Sequence, residues 1–74
     1  MPPRPRYEMP TFLRDALSDR GLMDAYRVRP PYQQNDYIGW ITRARLEATK
    51  KKRLNQMLDE LKYGGIYMKM KWKA

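Results

Sequence analysis

The chain has no cysteine, no histidine, one phenylalanine and one serine. Without cysteine there is no disulfide framework, no thiolate metal site and no thiol nucleophile. Without histidine, general acid–base chemistry would fall to Asp, Glu, Lys or Tyr. Ser18 stands on a predicted helix with no base near it in sequence. Asp59 and Glu60 are the one adjacent acidic pair. Neighbours on a helix point about 100° apart, so these two do not converge as a dyad and are expected to face solvent. No cluster has metal-ligand spacing. The residues therefore call for no catalytic group, no metal and no cofactor, and the expectation is a non-enzymatic protein. Long apolar runs are also missing. Nothing approaches the ~20 residues of a membrane-spanning helix, and the opening MPPRPRYEMP lacks the apolar stretch of a secretory signal. The expected location is the cytoplasm, whose reducing conditions the absence of cysteine fits.

What remains is a short, basic chain. Its 74 residues make one domain at most. A chain of this size buries only about 60% of its unfolded surface, so its core is small. The net charge is +8 and uneven: residues 1–40 carry +1 and residues 41–74 carry +7. That asymmetry favours an anionic partner, whether acidic protein, nucleic acid or a membrane surface; the alternative, about as well supported, is that the charge serves solubility alone.

The pattern along the chain predicts an all-α fold: a small bundle of three to four short helices with an extended basic C-terminal tail. Residues 1–9 hold three prolines and are expected to be flexible. Residues 10–64 form the helical domain, and residues 65–74 the tail. A first helix opens at Pro10-Thr11, with Thr11 as its cap, and stops at Gly21. A second runs from about Leu22 to Val28, and Pro30-Pro31 ends it. A third starts around Gln33–Asp36, with Asn35 as cap, and reaches about Arg45. A fourth covers about Glu47 to Lys62 and stops at Gly64-Gly65. Gly39, inside the third helix, predicts the close approach of another helix. Past Gly65 the period changes to two. Ile66, Met68, Met70 and Trp72 alternate with Tyr67, Lys69, Lys71 and Lys73. This single strand either lies on the helices or pairs with another chain.

Two apolar stripes decide the geometry of the centre. Leu54, Met57, Leu58 and Leu61 repeat at helical spacing. Tyr37, Ile38, Trp40, Ile41 and Ala44 form a second stripe, rotated by about 120° on the same wheel. A straight helix cannot aim both at one core, so a break is predicted near Arg45–Ala48. The predicted core comprises Trp40, Ile41, Leu54, Leu58 and Leu61 with Phe12 and Leu17. Tyr32, Tyr37 and Trp40 could stack on single-stranded bases, but their spacing beside Ile38 and Ile41 favours core positions.

The pattern Tyr37-Ile38-x-Trp40-Ile41-x-x-Ala44-Arg45, continued by Thr49-Lys50-x-Lys52-Arg53-Leu54, resembles the YdeI/OmpD-associated, or bacteriocin-protection, family. Its members typically read Y-I-x-W-I-x-x-A-K-R-x-E-T-R-x-K-R-I. The resemblance covers about Pro10 to Gly64. Leu46, Ala48 and Lys50 depart from the pattern, where Arg, Glu and Arg are usual. The resemblance implies a small bacterial protein linked to bacteriocin or stress resistance, and it supplies no reaction.

The candidate site is the basic run Lys50, Lys51, Lys52 and Arg53, joined by Lys69, Lys71 and Lys73 with the aromatic Trp72. Four consecutive basic residues surround a helix, so they cannot form one solvated face. They also oppose the helix dipole in its first turns. Bound phosphate would relieve that conflict. Alternatively, Lys50 snorkels along the apolar stripe and Glu47 neutralises Lys51 at i+4. Trp72 among lysines suits a nucleic-acid backbone or a headgroup layer, or a groove on the protein's own fold. A helix-turn-helix lacks support: the turn before the fourth helix has no glycine, and lysines grip phosphate while base reading prefers Arg, Asn or Gln. Two partners follow: an acidic protein, or nucleic acid bound without sequence preference.

Overall fold

The structure is a computed structural model and describes residues 7–72. Four helices come first in chain order: α1 (Thr11–Asp19), α2 (Met23–Arg27), α3 (Pro31–Thr42) and α4 (Glu47–Tyr63). A two-stranded antiparallel hairpin follows, β1 (Ile66–Tyr67) and β2 (Met70–Lys71). The core is one cluster in which Leu13 and Leu17 of α1 and Tyr26 of α2 meet α3's Tyr37, Ile38 and Ile41 and α4's Met57, Leu58 and Leu61.

The break between the two stripes is present. α3 ends at Thr42, three residues before the expected Arg45, and α4 starts at Glu47 as expected. Both stripes then reach the same core. Ala44, in the connection, is buried as well. Gly21 and Gly64 have φ of 66° and 91°, the left-handed geometry that ends α1 and α4 where predicted.

α1 is capped from Pro10, with Thr11 its first helical residue. α3 is entered from Pro30 with Pro31 in its first turn, so the proline pair that ends α2 also starts α3. Asn35 lies inside α3, where its side chain accepts a hydrogen bond from the Tyr7 backbone N–H at 2.8 Å. Tyr7 and Met9, expected in a flexible segment, pack against the core. Residues 1–6 lie outside the described residues. The close approach at Gly39 is real, but the visitor is the Tyr7 ring, which passes 2.6 Å from where a Cβ would stand. In the core, Ile41, Leu58, Leu61 and Leu17 are buried as expected, while Trp40 and Leu54 are only half-buried. Phe12 is 40% exposed; Leu13 takes the inward position on α1.

The C-terminal segment is not an extended tail. It doubles back on itself, pairing Ile66 with Lys71 and Tyr67 with Met70. Met68 and Lys69 form the turn with φ of 50° and 65°. Positive φ at both central positions is the hairpin-compatible turn, in which glycine or asparagine is usual. The strand's partner is therefore this chain's own next two residues. The hairpin lies on the helices through Tyr67, whose ring meets Tyr37 edge-on at 5.4 Å and Tyr32 at 6.0 Å.

Candidate functional site

The hairpin is held by a residue expected in solvent. Glu60 is 5% exposed. Its Oε1 accepts from the Tyr37 hydroxyl at 2.6 Å and the Met68 backbone N–H at 2.9 Å. Its Oε2 accepts from the Lys69 backbone N–H at 2.8 Å and Gln56 Nε2 at 3.1 Å. One carboxylate thus satisfies both donors of a turn whose left-handed residues cost of the order of 1 kcal/mol each. Bonds to a charged acceptor are the stronger kind. The Asp59–Glu60 pair divides: Asp59 is exposed and Glu60 is internal.

Arg29 is the second buried charge, 3% exposed. It donates to Gln33 Oε1 at 3.1 Å and to the Glu60 backbone carbonyl at 3.0 Å. Its guanidinium also stacks on the Trp72 ring, 4.6 Å from the centroid. The carbonyl it reaches is in the last turn of α4, where the dipole favours a cation. Each buried charge is satisfied by hydrogen bonds instead of a direct ion pair: Arg29 by Gln33 and a carbonyl, Glu60 by four donors. Among the described residues no buried side-chain nitrogen or oxygen lacks a hydrogen-bond partner.

The basic run separates into three kinds of residue. Arg53 turns inward: it donates to the Trp40 carbonyl at 2.6 Å and lies 5.3 Å from the Trp40 ring centroid, closing the C-terminal turn of α3. Lys50 is half-buried, pairs with Glu47 at 3.5 Å and lies 5.7 Å from the Phe12 ring centroid. The Glu47 pairing is thus with Lys50 at i+3, not with Lys51. Lys51 and Lys52 are exposed. They line an open groove of about 810 Å³ together with Ala48, Asp59, Ile66 and Lys69. The fold brings Lys51 and Lys52 of α4 beside Lys69 of the hairpin turn.

Lys71 and Trp72 are elsewhere, lining a smaller depression of about 420 Å³ with Tyr63 and Gly65. Trp72 is half-buried against Arg29. Lys73 lies outside the described residues. Among the described residues no group of His, Cys, Asp or Glu could hold a metal ion, and no helix is long and apolar enough to cross a membrane.

The family model described as "Bacteriocin-protection, YdeI or OmpD-Associated" matches residues 6–64. The chain belongs to this family. No curated protein and no solved structure matches it. The matched span of the bacteriocin-protection family contains all four helices and stops before the hairpin. The groove is accordingly composite: Lys51, Lys52 and Asp59 come from the matched span, and Ile66 and Lys69 from beyond it.

Sequence reasoning missed Arg29 and Glu60 because charged residues are seldom fully buried. One signal was available: Glu60 falls one residue before Leu61 and three after Met57, at the edge of the apolar stripe of α4.

Proposed function

We propose that this member of the bacteriocin-protection family acts by binding, without catalysis, and that its partner is anionic. The role the family description points to is protection against bacteriocins or a related stress. The observation that carries the reading is the convergence of Lys51, Lys52 and Lys69 on one groove from two separate elements. Three cations on a shared concave surface attract an anion more than the same charges dispersed.

Two groups that could serve acid–base chemistry are already engaged inside the fold, which supports binding over chemistry. Glu60 spends both oxygens on internal donors, and the Tyr37 hydroxyl is sealed in the core. Ser18 is exposed on α1 and has no histidine to activate it. The carboxylate of Asp59 at the groove wall favours an acidic protein over nucleic acid, since it repels a continuous phosphate backbone.

Titration against polyglutamate and against mixed DNA and RNA oligonucleotides, at low and physiological salt, tests this reading. Binding should weaken with salt as counterions return. Lys51→Gln with Lys52→Gln should weaken it further without loss of helicity. No binding to any polyanion at low salt would leave the basic surface as a solubility feature.

A further inference from the structure

A second groove, of about 620 Å³, borders the first. It is lined by Phe12, Leu54, Lys50 and Glu47, and it shares Ala48 and Lys51 with its neighbour. The two are contiguous across Ala48, an exposed residue whose single methyl group raises no wall between them. The second groove has an apolar floor. Phe12 is the chain's one phenylalanine, 40% exposed, and lies outside the buried core. Leu54 is half-buried beside it, and Leu46, 69% exposed, precedes α4. A partly exposed phenylalanine beside two lysines, Lys50 and Lys51, offers two kinds of recognition at once.

We propose that the partner is an acidic protein segment bearing a large apolar side chain, which seats on Phe12 and Leu54 while flanking carboxylates meet Lys50, Lys51 and Lys52. This assignment rests on the anionic-partner reading above and names its chemistry. Charge complementarity selects the acidic residues, and the exposed apolar floor selects the anchor. Two carboxylates favour a protein segment over nucleic acid: Glu47 at the second groove and Asp59 at the first. A phosphate backbone carries a charge at every nucleotide and would meet both. A peptide can place its carboxylates between them. Glu47 already neutralises part of Lys50 at 3.5 Å, so Lys51 and Lys52 carry most of the attraction.

The test uses two synthetic peptides of equal length and net negative charge, one with a central leucine and one with serine in its place. A single-stranded oligonucleotide of comparable charge is the third probe. Wild type should bind both peptides at low salt, the leucine peptide about tenfold tighter, the gain expected from burying one such side chain. Phe12→Ala should erase that difference and leave the serine peptide's affinity unchanged. Ala48→Glu places an acid in the first turn of α4, where the dipole tolerates it, and should weaken both peptides by repulsion. It serves as an independent probe should Phe12→Ala unfold the domain.

Equal affinity of wild type for the two peptides would overturn the anchor proposal and leave the anionic-partner reading intact. Failure of both peptides and the oligonucleotide to bind at low salt would overturn both. Tighter binding of the oligonucleotide than of the leucine peptide would replace the protein partner with nucleic acid.

Discussion

The Tyr37 hydroxyl donates to Glu60 Oε1 at 2.6 Å, with both residues buried between α3, α4 and the hairpin. This bond fixes the carboxylate that in turn holds the Met68 and Lys69 backbone N–H groups. The position of Lys69 at the groove therefore depends on a contact inside the core. Tyr37→Phe keeps the ring and removes one donor, so it should cost about 1–3 kcal/mol. Glu60→Ala strips the partner from Tyr37, Met68 and Lys69 together and should cost more. Denaturant unfolding measures both, and hydrogen exchange should show residues 66–71 losing protection first in Glu60→Ala.

Two buried tyrosines set the alkaline limit. Burial pushes the Tyr26 hydroxyl up to about 12. Burial, then the hydrogen bond and charge of Glu60, pushes Tyr37 well above the ordinary phenol value, with Arg29 opposing. In the unfolded chain both ionise near pH 10. Above that pH the native state holds protons that the unfolded state has released. Stability is then full below about pH 10 and falls as pH rises, by about 1.4 kcal/mol per pH unit for each tyrosine. Unfolding free energies measured across the alkaline range should show the decline, and Tyr37→Phe should make it shallower.

The exposure of Phe12 separates two truncations to alanine. Leu58→Ala empties a buried site and should cost about 2–5 kcal/mol, a large part of what so small a domain possesses. Phe12→Ala removes a side chain 40% exposed and should cost about 1 kcal/mol or less. Thermal melts of the two variants side by side provide the comparison; similar losses would mean that Phe12 is part of the core.

Gly39 and Tyr7 should be coupled. A Cβ at Gly39 would stand 2.6 Å from the Tyr7 ring. With Tyr7 replaced by alanine, Gly39→Ala should stabilise α3 by up to about 1 kcal/mol through helix propensity. In wild type the same change must displace the ring and should gain little. A double-mutant cycle measures the difference directly.

Much of the helical frame was legible in the sequence, for a physical reason. The stripes at Tyr37–Ala44 and Leu54–Leu61 are dictated by burial, and their mismatched rotation required the break that the structure has at 43–46. Phe12, Trp40 and Leu54 lie at the margins of their stripes, where a wheel cannot separate half-buried from buried. The hairpin was legible only as a strand. Met68-Lys69 lacks the glycine or asparagine that announces such a turn, and its geometry is supported by a carboxylate eight and nine residues back. Of the candidate site, Lys51, Lys52 and Lys69 share a groove, while Arg53 and Trp72 serve contacts inside the fold. That division depends on which carbonyl or ring each side chain meets, and spacing alone does not show it. Truncating the chain before Lys69 would remove the turn that Glu60 holds, so point variants are the cleaner probes of the hairpin's role.

If α4 and the hairpin act as one binding surface, both should respond together to a ligand. Amide chemical shifts followed during titration with an acidic peptide read this residue by residue. Concerted, salt-sensitive shifts are expected at residues 48–55 and at 66–69, saturating at the same peptide concentration. Shifts confined to one of the two elements, or spread over every basic residue without saturation, would contradict it.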